Sequence, residues 1–480
     1  MRTFPLSFVL PALALAACTV GPNYAGPPKT LADAAGPAAF KRGGTAATPA
    51  APTVAAWWTQ LGDATLTELE TRALAANPNI AVATARLRQA RASLRLERAN
   101  QAPSANASLT YLHARIPGFD FGGSDSTSEA SAVDFYNVGF DASWEVDLFG
   151  GRRRSVEAAR AQAQAAEANV ADAQVSLTAD VAQAYVNLRD RQRRITLAQQ
   201  SAHMQQQMLA LTQQRLGRGA ASELDVERLR GQVEATNGQI VPLQAELESY
   251  LNALAVLTGQ EPGALDALLT RGAAVPLPPA QVAVGDPAAL LQRRPDIRAA
   301  ERQLAQRTAQ IGVADAARFP RLNILGLIGL GGTKLSDIGP DKLVGIAAPM
   351  LQWNFLDFGR NRARINQAEG QRDEAEAQYR GAVLRALQDA EDALSRFGHR
   401  RETVASLLRS KASADRAADL MQQRYRAGTA TLIDTLDAER QRVAADQNLS
   451  AGTAGLTGDF VALQKALGLG WTAPVPPATS

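Results

Sequence analysis

The chain has 480 residues, with 50 basic and 47 acidic side chains, a formal net charge of +3 and a single cysteine. Near-balanced charge without a basic stripe among aromatics argues against nucleic acid as a partner. One cysteine excludes an intrachain disulfide, and the length allows two or three domains.

The N-terminal residues 1–17 have the pattern of an export signal. Arg2 gives a positive start, and Phe4–Leu15 is an apolar stretch too short to span a bilayer. It closes at a Leu-Ala-Ala-Cys tetrapeptide that resembles the bacterial lipobox, which predicts a covalent lipid on Cys18. The alternative is an ordinary signal peptide with a chance cysteine. Thr19 follows where an aspartate would resemble an inner-membrane retention signal, so the outer membrane is favoured.

The rest of the chain contains a tandem duplication. Asn77–Ile80 resembles Arg294–Ile297 at an offset of 217 residues, and Trp144–Gly150 resembles Trp353–Gly359 at an offset of 209. The second offset persists as far as Gly468. A register of this length predicts one structural unit built twice. We expect a signal peptide at 1–17, a lipid-anchored linker at 18–60, repeat 1 at 61–260, an inter-repeat linker at 261–285, repeat 2 at 286–468 and a tail at 469–480.

Each repeat has the pattern of two β-strands. Apolar and polar residues alternate from Tyr136 to Asp147, which is typical of a strand with two different faces. The other predicted strands are weaker: about Asn106–His113, then Leu322–Leu330 and Leu343–Phe355, the last interrupted by Pro349. Repeat 2 is shorter between its strands, where repeat 1 carries the loop-like residues 117–126.

The strands are long enough to cross a membrane as tilted barrel strands. No run of about 20 apolar residues follows the signal, so any membrane passage must use strands. A strand of a soluble sandwich is the alternative. Because a closed bacterial barrel needs at least eight strands, four strands per chain would require oligomerisation.

A very long helix follows the second strand of each repeat. Arg152–Leu216 has neither proline nor glycine, and about 65 helical residues make a rod of roughly 100 Å. Its many alanines allow close helix approach but fill little core, which favours a hollow assembly. The helix breaks after Leu216, and Ser222 can cap the return helix. Pro242 in the return helix has no counterpart in repeat 2, and no function was assigned to it.

The residues indicate no catalytic chemistry, so we predict that the chain is not an enzyme and needs no cofactor or metal. His113, His203 and His399 lie apart, without ligand spacing. Asp357–Gly359 looks like the metal-binding triplet of a protein kinase, but the accompanying motifs are absent. Its duplicate at Asp147–Gly150 indicates a strand-to-helix junction instead.

Together these features resemble the outer membrane factor (TolC-like) family, in its lipoprotein branch. The likeness is carried by Cys18–Tyr24, Arg294–Ile297, Trp353–Gly359 and Arg424–Gly428, and it covers nearly the whole mature chain. It implies mixed α and transmembrane β structure in a homotrimer, with a 12-stranded β-barrel continuous with a hollow periplasmic α-barrel. It also implies outer-membrane lipid, a periplasmic adaptor and a proton-driven inner-membrane pump as partners.

The resemblance further implies a periplasmic gate on the second return helix. Tyr425, Asp437 and Arg440 match the branch as a tyrosine near the tip and an acid–base pair that bonds between neighbouring helices. Ile433 stands where the branch carries a leucine constriction. Spacing alone makes Asp437 and Arg440 an i,i+3 pair on one helix. The two turns would face the adaptor, through Gly217, Gly219, Ser222, Gly428 and Thr431.

These inferences predict a lipid-anchored outer-membrane duct that extends into the periplasm. It would pass small molecules, such as drugs and toxic compounds, from the pump and adaptor to the exterior. Two alternatives remain open. One is a duct for type I protein secretion, and the other is a coiled-coil scaffold lipoprotein without a pore, which leaves the alternating strands unexplained.

Overall fold

The computed structural model describes residues 19–28, 40–44, 47–116, 131–334, 339, 341 and 343–472. The predicted signal peptide, Cys18 and the loop at 117–126 lie outside the described residues. Lipidation of Cys18 therefore stays a prediction.

The helices occur in matching sets. Among the described residues they are α1 Ala64–Ala76, α2 Pro78–Ala99, α3 Gly151–Gly217, α4 Glu223–Leu257, α5 Asp266–Leu269, α6 Pro287–Arg293, α7 Pro295–Ala316, α8 Arg360–Arg426 and α9 Leu432–Ala466, with a 3-10 helix at Trp57–Leu61. Helices α2 and α7 each have 22 residues, α3 and α8 each have 67, and α4 and α9 each have 35. The predicted long helix is confirmed, with one more residue at each end. No described helix is both long enough and apolar enough to cross a membrane.

Four strands form one antiparallel sheet in the order β2-β3-β5-β6, and two short strands, β1 and β4, pair in parallel. Their bounds are β1 Ala47–Thr48, β2 Ser104–Ile116, β3 Ser131–Val146, β4 Val282–Ala283, β5 Arg321–Gly332 and β6 Leu343–Gln352. The four predicted strands are present, but the last ends at Gln352 rather than Phe355. The sequence pattern predicts that Pro349 interrupts this strand, but β6 continues through it, and Pro349 pairs in register with Ile324. Strand β6 is an edge strand, where a missing N–H is tolerated.

The chain divides into two compact units. The first comprises the described residues of Met1–Pro28, Leu87–Ala165 and Ala300–Tyr379, and it contains the four-stranded sheet. The second comprises those of Lys29–Arg86, Ala166–Ala299 and Arg380–Ser480, and it contains both turns between long helices.

The second unit has an aromatic core. Trp57 is fully buried and packs edge-on against Phe460, with ring centroids 5.9 Å apart. The Tyr185 hydroxyl of α3 donates to Asp63 Oδ2 at 2.7 Å, while Asp63 Oδ1 accepts the Leu66 N–H at 3.0 Å and caps α1. The start of α1 is thereby fastened to the middle of α3.

The repeated Asn77–Ile80 and Arg294–Ile297 motifs have a structural role in the second unit. Asn77 Nδ2 donates to the Leu257 carbonyl at 2.8 Å, and Arg294 Nη1 donates to the Ala466 carbonyl at 2.8 Å. Leu257 and Ala466 are the last residues of α4 and α9. The first residue of each motif therefore satisfies a carbonyl that the helix end leaves without an intrahelical partner.

The Asp-Phe-Gly triplet is part of a strand-to-helix junction, as the sequence indicates. The Asp357 carboxylate accepts the backbone N–H of Asn361 at 2.6 Å, at the start of α8. In repeat 1 the Asp147 carboxylate accepts the N–H groups of Arg152 and Arg153 at 3.1 and 2.9 Å. Both carboxylates satisfy free donors in a first helical turn.

Candidate functional site

The site begins with the turn that ends each long helix. After α3, the Gly219 N–H donates to the Leu216 carbonyl and the Ala220 N–H to the Arg215 carbonyl, both at 2.8 Å. Gly219 has φ +73°, a left-handed conformation that glycine adopts without a Cβ penalty. An equivalent pair of bonds closes the second turn around Gly428, which has φ +74°. The repeated glycines are therefore helix stop signals.

Each return helix then begins with a complete capping box. Ser222 Oγ accepts the Asp225 N–H at 3.2 Å, and the Asp225 carboxylate accepts the Ser222 N–H at 3.2 Å. Thr431 and Asp434 repeat the arrangement at 3.2 and 3.0 Å. The hydroxyls of Ser222 and Thr431 also donate to these carboxylates and lower the pKa of Asp225 and Asp434. The predicted cap at Ser222 is confirmed, and both turns are held by reciprocal bonds.

Tyr425 joins the ends of the two long helices. Its hydroxyl accepts a hydrogen bond from Arg215 Nη1 at 2.5 Å, and the Arg215 guanidinium lies 5.6 Å from the centroid of the Tyr425 ring. Sequence reasoning selected Tyr425 but missed Arg215. The one feature of the sequence that could have indicated Arg215 was a Gln-Arg pair repeated at the end of each long helix. A cation there interacts favourably with the helix dipole.

The other predicted gate residues share one face of α9. Arg440 Nη2 lies 2.5 Å from Asp437 Oδ1, and the two side chains are 66% and 48% exposed. Ile433, one turn before Asp437, is 49% exposed. Within one chain the pair therefore has the i,i+3 geometry expected from spacing alone. A bond from this pair to a neighbouring helix stays a prediction.

A second acid–base pair on α9 was missed in the sequence. Arg442 Nη2 lies 2.9 Å from Glu439 Oε2, and the side chains are 28% and 14% exposed. Arg442 also contacts Met204 Sδ of α3 at 3.9 Å, and burial raises the pKa of Glu439. Helix α9 thus carries one pair packed against α3 and another whose side chains are more exposed among the described residues.

The described residues contain no group of three or more His, Cys, Asp or Glu side chains that could hold a metal ion. His113 Nδ1 lies 2.7 Å from Asp134 Oδ1 across the β2–β3 ladder, and His203 contacts Gln207 at 3.0 Å. His399 is mostly exposed. The three histidines lie in different elements.

Each repeat consists of a pair of strands, a long helix, a capped turn and a return helix. This arrangement defines a class of repeat protein with both a sheet and helical hairpins. A family model described as outer membrane efflux protein matches the chain twice, over residues 69–260 and 287–469. The chain belongs to the outer membrane efflux protein family, which confirms the resemblance inferred from the sequence.

Individual relatives agree with this assignment. The outer membrane protein OprJ of Pseudomonas aeruginosa is 32% identical over 478 residues, covering 98% of this chain and 96% of OprJ. The toluene efflux pump outer membrane protein TtgF of Pseudomonas putida is 30% identical, covering 98% of each chain. The solved outer-membrane channel OprN superposes with a TM-score of 0.84 at 35% identity, covering 95% of this chain and 100% of OprN. The predicted role in outer-membrane efflux and the outer-membrane location are therefore confirmed.

Proposed function

We propose that this chain is the exit duct of a tripartite efflux system, anchored by lipid and assembled as a homotrimer. It passes small molecules from an inner-membrane pump and a periplasmic adaptor to the exterior. The observation that carries the proposal is a four-stranded sheet whose two edges have no further strand among the described residues. Each repeat leads from that sheet into a 67-residue helix. The toluene efflux relative supports small apolar molecules as one class of cargo.

The sheet edges support the trimer. Strands β2 and β6 end the strand order of the described sheet. Leu109 and Tyr111 on β2 are 78% and 59% exposed, and Ile346 and Leu351 on β6 are 55% and 68% exposed. In lipid, unpaired edge groups must find partners, and closure is the solution for strands. Pairing β6 with β2 of the next chain continues the same order. Two chains would supply eight strands, the minimum for a closed barrel, and three chains would supply twelve.

The helical seam gives independent support through the duplication. Within the chain, Ser450 of α9 donates to Asp190 of α3 at 2.8 Å, and both residues are buried. The corresponding positions are Val241 on α4 and His399 on α8, where Val241 is 65% exposed. The α3–α9 seam thus closes inside one chain, while the equivalent α8–α4 seam needs a second chain.

Two further apolar positions lie along the same open seam. Leu384 on α8 is 60% exposed, although its repeat-1 counterpart, Val175, is only 4% exposed. Val256 on α4 is 58% exposed, and its counterpart Lys465 contacts Asp180 of α3 at 3.4 Å. Burial of such side chains stabilises an assembly by about 25 cal/mol per Å². A heterologous contact of this kind generates a ring when its rotation closes.

The gate assignment follows from the exposed face of α9. Asp437 and Arg440 are 48% and 66% exposed there, while Glu439 and Arg442 are packed against α3. In the closed duct, the exposed pair bonds to the neighbouring helices and restricts the passage. Opening then requires those bonds to break while the inner seam persists.

Conductance of the purified protein in planar bilayers tests this function. Replacing both gate residues, Asp437→Ala with Arg440→Ala, should raise single-channel conductance and leave heat-resistant trimers intact. The matched control is Glu227→Ala with Arg230→Ala, an exposed i,i+3 pair on α4 that is paired in the same way. The control should leave conductance unchanged.

The outcomes separate the functions considered. A monomer without conductance would overturn the duct and favour the scaffold. A trimer whose conductance is equal in both double variants would retain the duct but remove the gate from Asp437 and Arg440. Secretion of a co-expressed polypeptide instead of small-molecule efflux would favour the type I alternative.

A further inference from the structure

Arg154, near the start of α3, is a buried cation, and most of its acceptors lie far away in sequence. Its side chain is 4% exposed. Nε donates to the Val20 carbonyl at 3.1 Å, and Nη2 donates to the Gly21 carbonyl at 3.0 Å and to Asn23 Oδ1 at 2.7 Å. Nη1 pairs with Glu157 at 2.8 Å. A buried guanidinium is costly unless hydrogen-bonded, and most of these bonds go to the N-terminal segment.

Glycines let the backbone of that segment approach the helices. Gly21 has φ +84°, and a Cβ there would overlap the Cα of Gly312 in α7. A Cβ at Gly312 would in turn lie 2.8 Å from Arg154 Cγ and Nε. Gly150, with φ +83°, leaves room for Thr19. Residues 19–23 therefore occupy a closely fitted site rather than an open surface.

Two more contacts hold the segment. The Val20 N–H donates to the Phe149 carbonyl at 3.2 Å, at the junction between β3 and α3. The Tyr24 hydroxyl donates to Glu301 at 3.0 Å, and the Arg302 guanidinium lies 5.6 Å from the Tyr24 ring centroid. Burial and the Glu301 carboxylate raise the pKa of the Tyr24 hydroxyl, so it stays a donor.

The duplication shows that the repeat scaffold does not require this site. Position 154 corresponds to Ala363 in repeat 2, and position 312 corresponds to Arg95 in repeat 1. Among the described residues, the repeat-2 junction also has no comparable cover, because Phe358 is 83% exposed and a Cβ at Gly359 would meet nothing within 4 Å. Arg154 and Gly312 are thus specific to the single N-terminal segment of each chain.

We propose that Arg154 is a positioning residue that fixes where the lipid anchor leaves the fold. The proposal rests on the proposed lipidation of Cys18, which directly precedes Thr19 in the sequence. Because Thr19 and Val20 are held at the β3–α3 junction, the anchor enters the membrane at the level where the strands end. Arg154 acts through the segment and does not itself contact lipid.

Hydrogen exchange on the full-length lipoprotein tests the docking step. Arg154→Ala should accelerate exchange in the peptide 19–28 by at least about tenfold, since several hydrogen bonds are lost together. Arg154→Lys keeps the charge but not the guanidinium fork and should fall between. Arg160→Ala, at an exposed position of the same helix, is the matched control and should leave the peptide unchanged. If Arg154→Ala does not accumulate, Asn23→Ala can replace it in this test, because it removes one of the hydrogen bonds between Arg154 and residues 19–23.

An insertion tests positioning separately from local packing. Four residues, Gly-Ser-Gly-Ser, placed between Thr19 and Val20 keep the clamp contacts of residues 20–23 but give the anchor slack. Insertion and Arg154→Ala should each lower the yield of heat-resistant trimers, and the double change should be no worse than the more severe single change. Strictly additive losses would reduce Arg154 to a packing residue and overturn the proposal.

Palmitate incorporation distinguishes this inference from the function on which it rests. Labelled palmitate should enter the parent protein and Arg154→Ala equally. Absence of label from the parent protein would remove the anchor and overturn the positioning role. Normal label with unchanged exchange in Arg154→Ala would leave lipidation in place and overturn the clamp alone.

Discussion

At the scale of single residues, the two turns show why residue types recur in both repeats. Gly219 and Gly428 close the long helices, and Ser222 and Thr431 open the return helices. These roles are local, so they account for the repeated sequence without reference to an adaptor. Contact of the turns with an adaptor stays a proposal, and any specificity must come from the exposed side chains around the turns.

The carboxylates of the capping boxes make the turns sensitive to acid. Hydrogen bonds hold the pKa of Asp225 and Asp434 below the ordinary value of 3.8. A lowered pKa contributes stability that is present above the ordinary value and is lost as pH falls through the lowered one. We expect faster hydrogen exchange in both turns, corrected for intrinsic rates, below about pH 4. Asp225→Asn with Asp434→Asn should abolish the pH dependence; its persistence would assign the effect to other groups.

At the scale of elements, corresponding helices are equal in length but differ in detail. Helix α4 runs without a break across Pro242, where α9 has Ala451. Both return helices end next to a left-handed glycine, Gly259 or Gly468. The glycine after the return helix is thus common to both repeats, whereas the proline inside the helix occurs in one repeat only.

Replacing the helix-interior proline should stabilise the protein. Pro242 removes one intrahelical hydrogen bond, and a proline inside a helix costs about 3 kcal/mol. Pro242→Ala, which copies repeat 2, should therefore raise the melting temperature in detergent. Ala451→Pro is the reciprocal variant and should lower it. A lower melting temperature for Pro242→Ala would mean that the assembly depends on the local geometry that this proline imposes.

Gly468 should not tolerate a side chain. It has φ +69°, and a Cβ there would lie 2.7 Å from Arg294 Cγ. Gly468→Ala should destabilise the protein by about 1–3 kcal/mol, measured by thermal unfolding. Gly238→Ala, a helical position with nothing within 4 Å of the added Cβ, should instead stabilise it by about 0.5–1 kcal/mol. Equal effects of the two substitutions would contradict the close packing of Gly468.

At the scale of the whole molecule, a contact that is closed in one place within the chain is open at the equivalent place in the other repeat. The seam between α3 and α9 is closed by Asp190 and Ser450, while the equivalent positions on α8 and α4 are open. The sheet likewise ends at β2 and β6, beyond which the described part of the chain adds no strand. Both observations point to repetition of the chain around an axis.

Charges placed on the open seam should prevent assembly. Leu384→Asp with Val256→Asp buries two unpaired carboxylates if the seam forms, which is strongly unfavourable. We expect mass photometry in detergent to show mainly monomers for this variant. Leu277→Asp, at a similarly exposed residue outside the long helices, should remain trimeric. An intact trimer with both seam aspartates would place the interface elsewhere.

Features set by neighbouring residues could be predicted from the sequence. The ends of α3, the Ser222 cap, the four strands and the strand-to-helix junction all depend on patterns within a few residues. Pro349 was misread because its tolerance depends on the strand order, which places β6 at the edge of the sheet within one chain. The alignment of the two repeats could also be obtained from the sequence alone, because it requires only a comparison of residue types.

The sequence by itself determined the duplication, the length of α3, the turns and the family resemblance. Only the tertiary structure decided which side chains meet across long separations. Glu439–Arg442 and Asp437–Arg440 have the same spacing, but burial differs because only the first pair faces α3. Arg154 finds three of its acceptors, in Val20, Gly21 and Asn23, more than 130 residues away. Local patterns fix dihedral angles and faces, whereas burial and long-range hydrogen bonds depend on which faces the folded chain brings together.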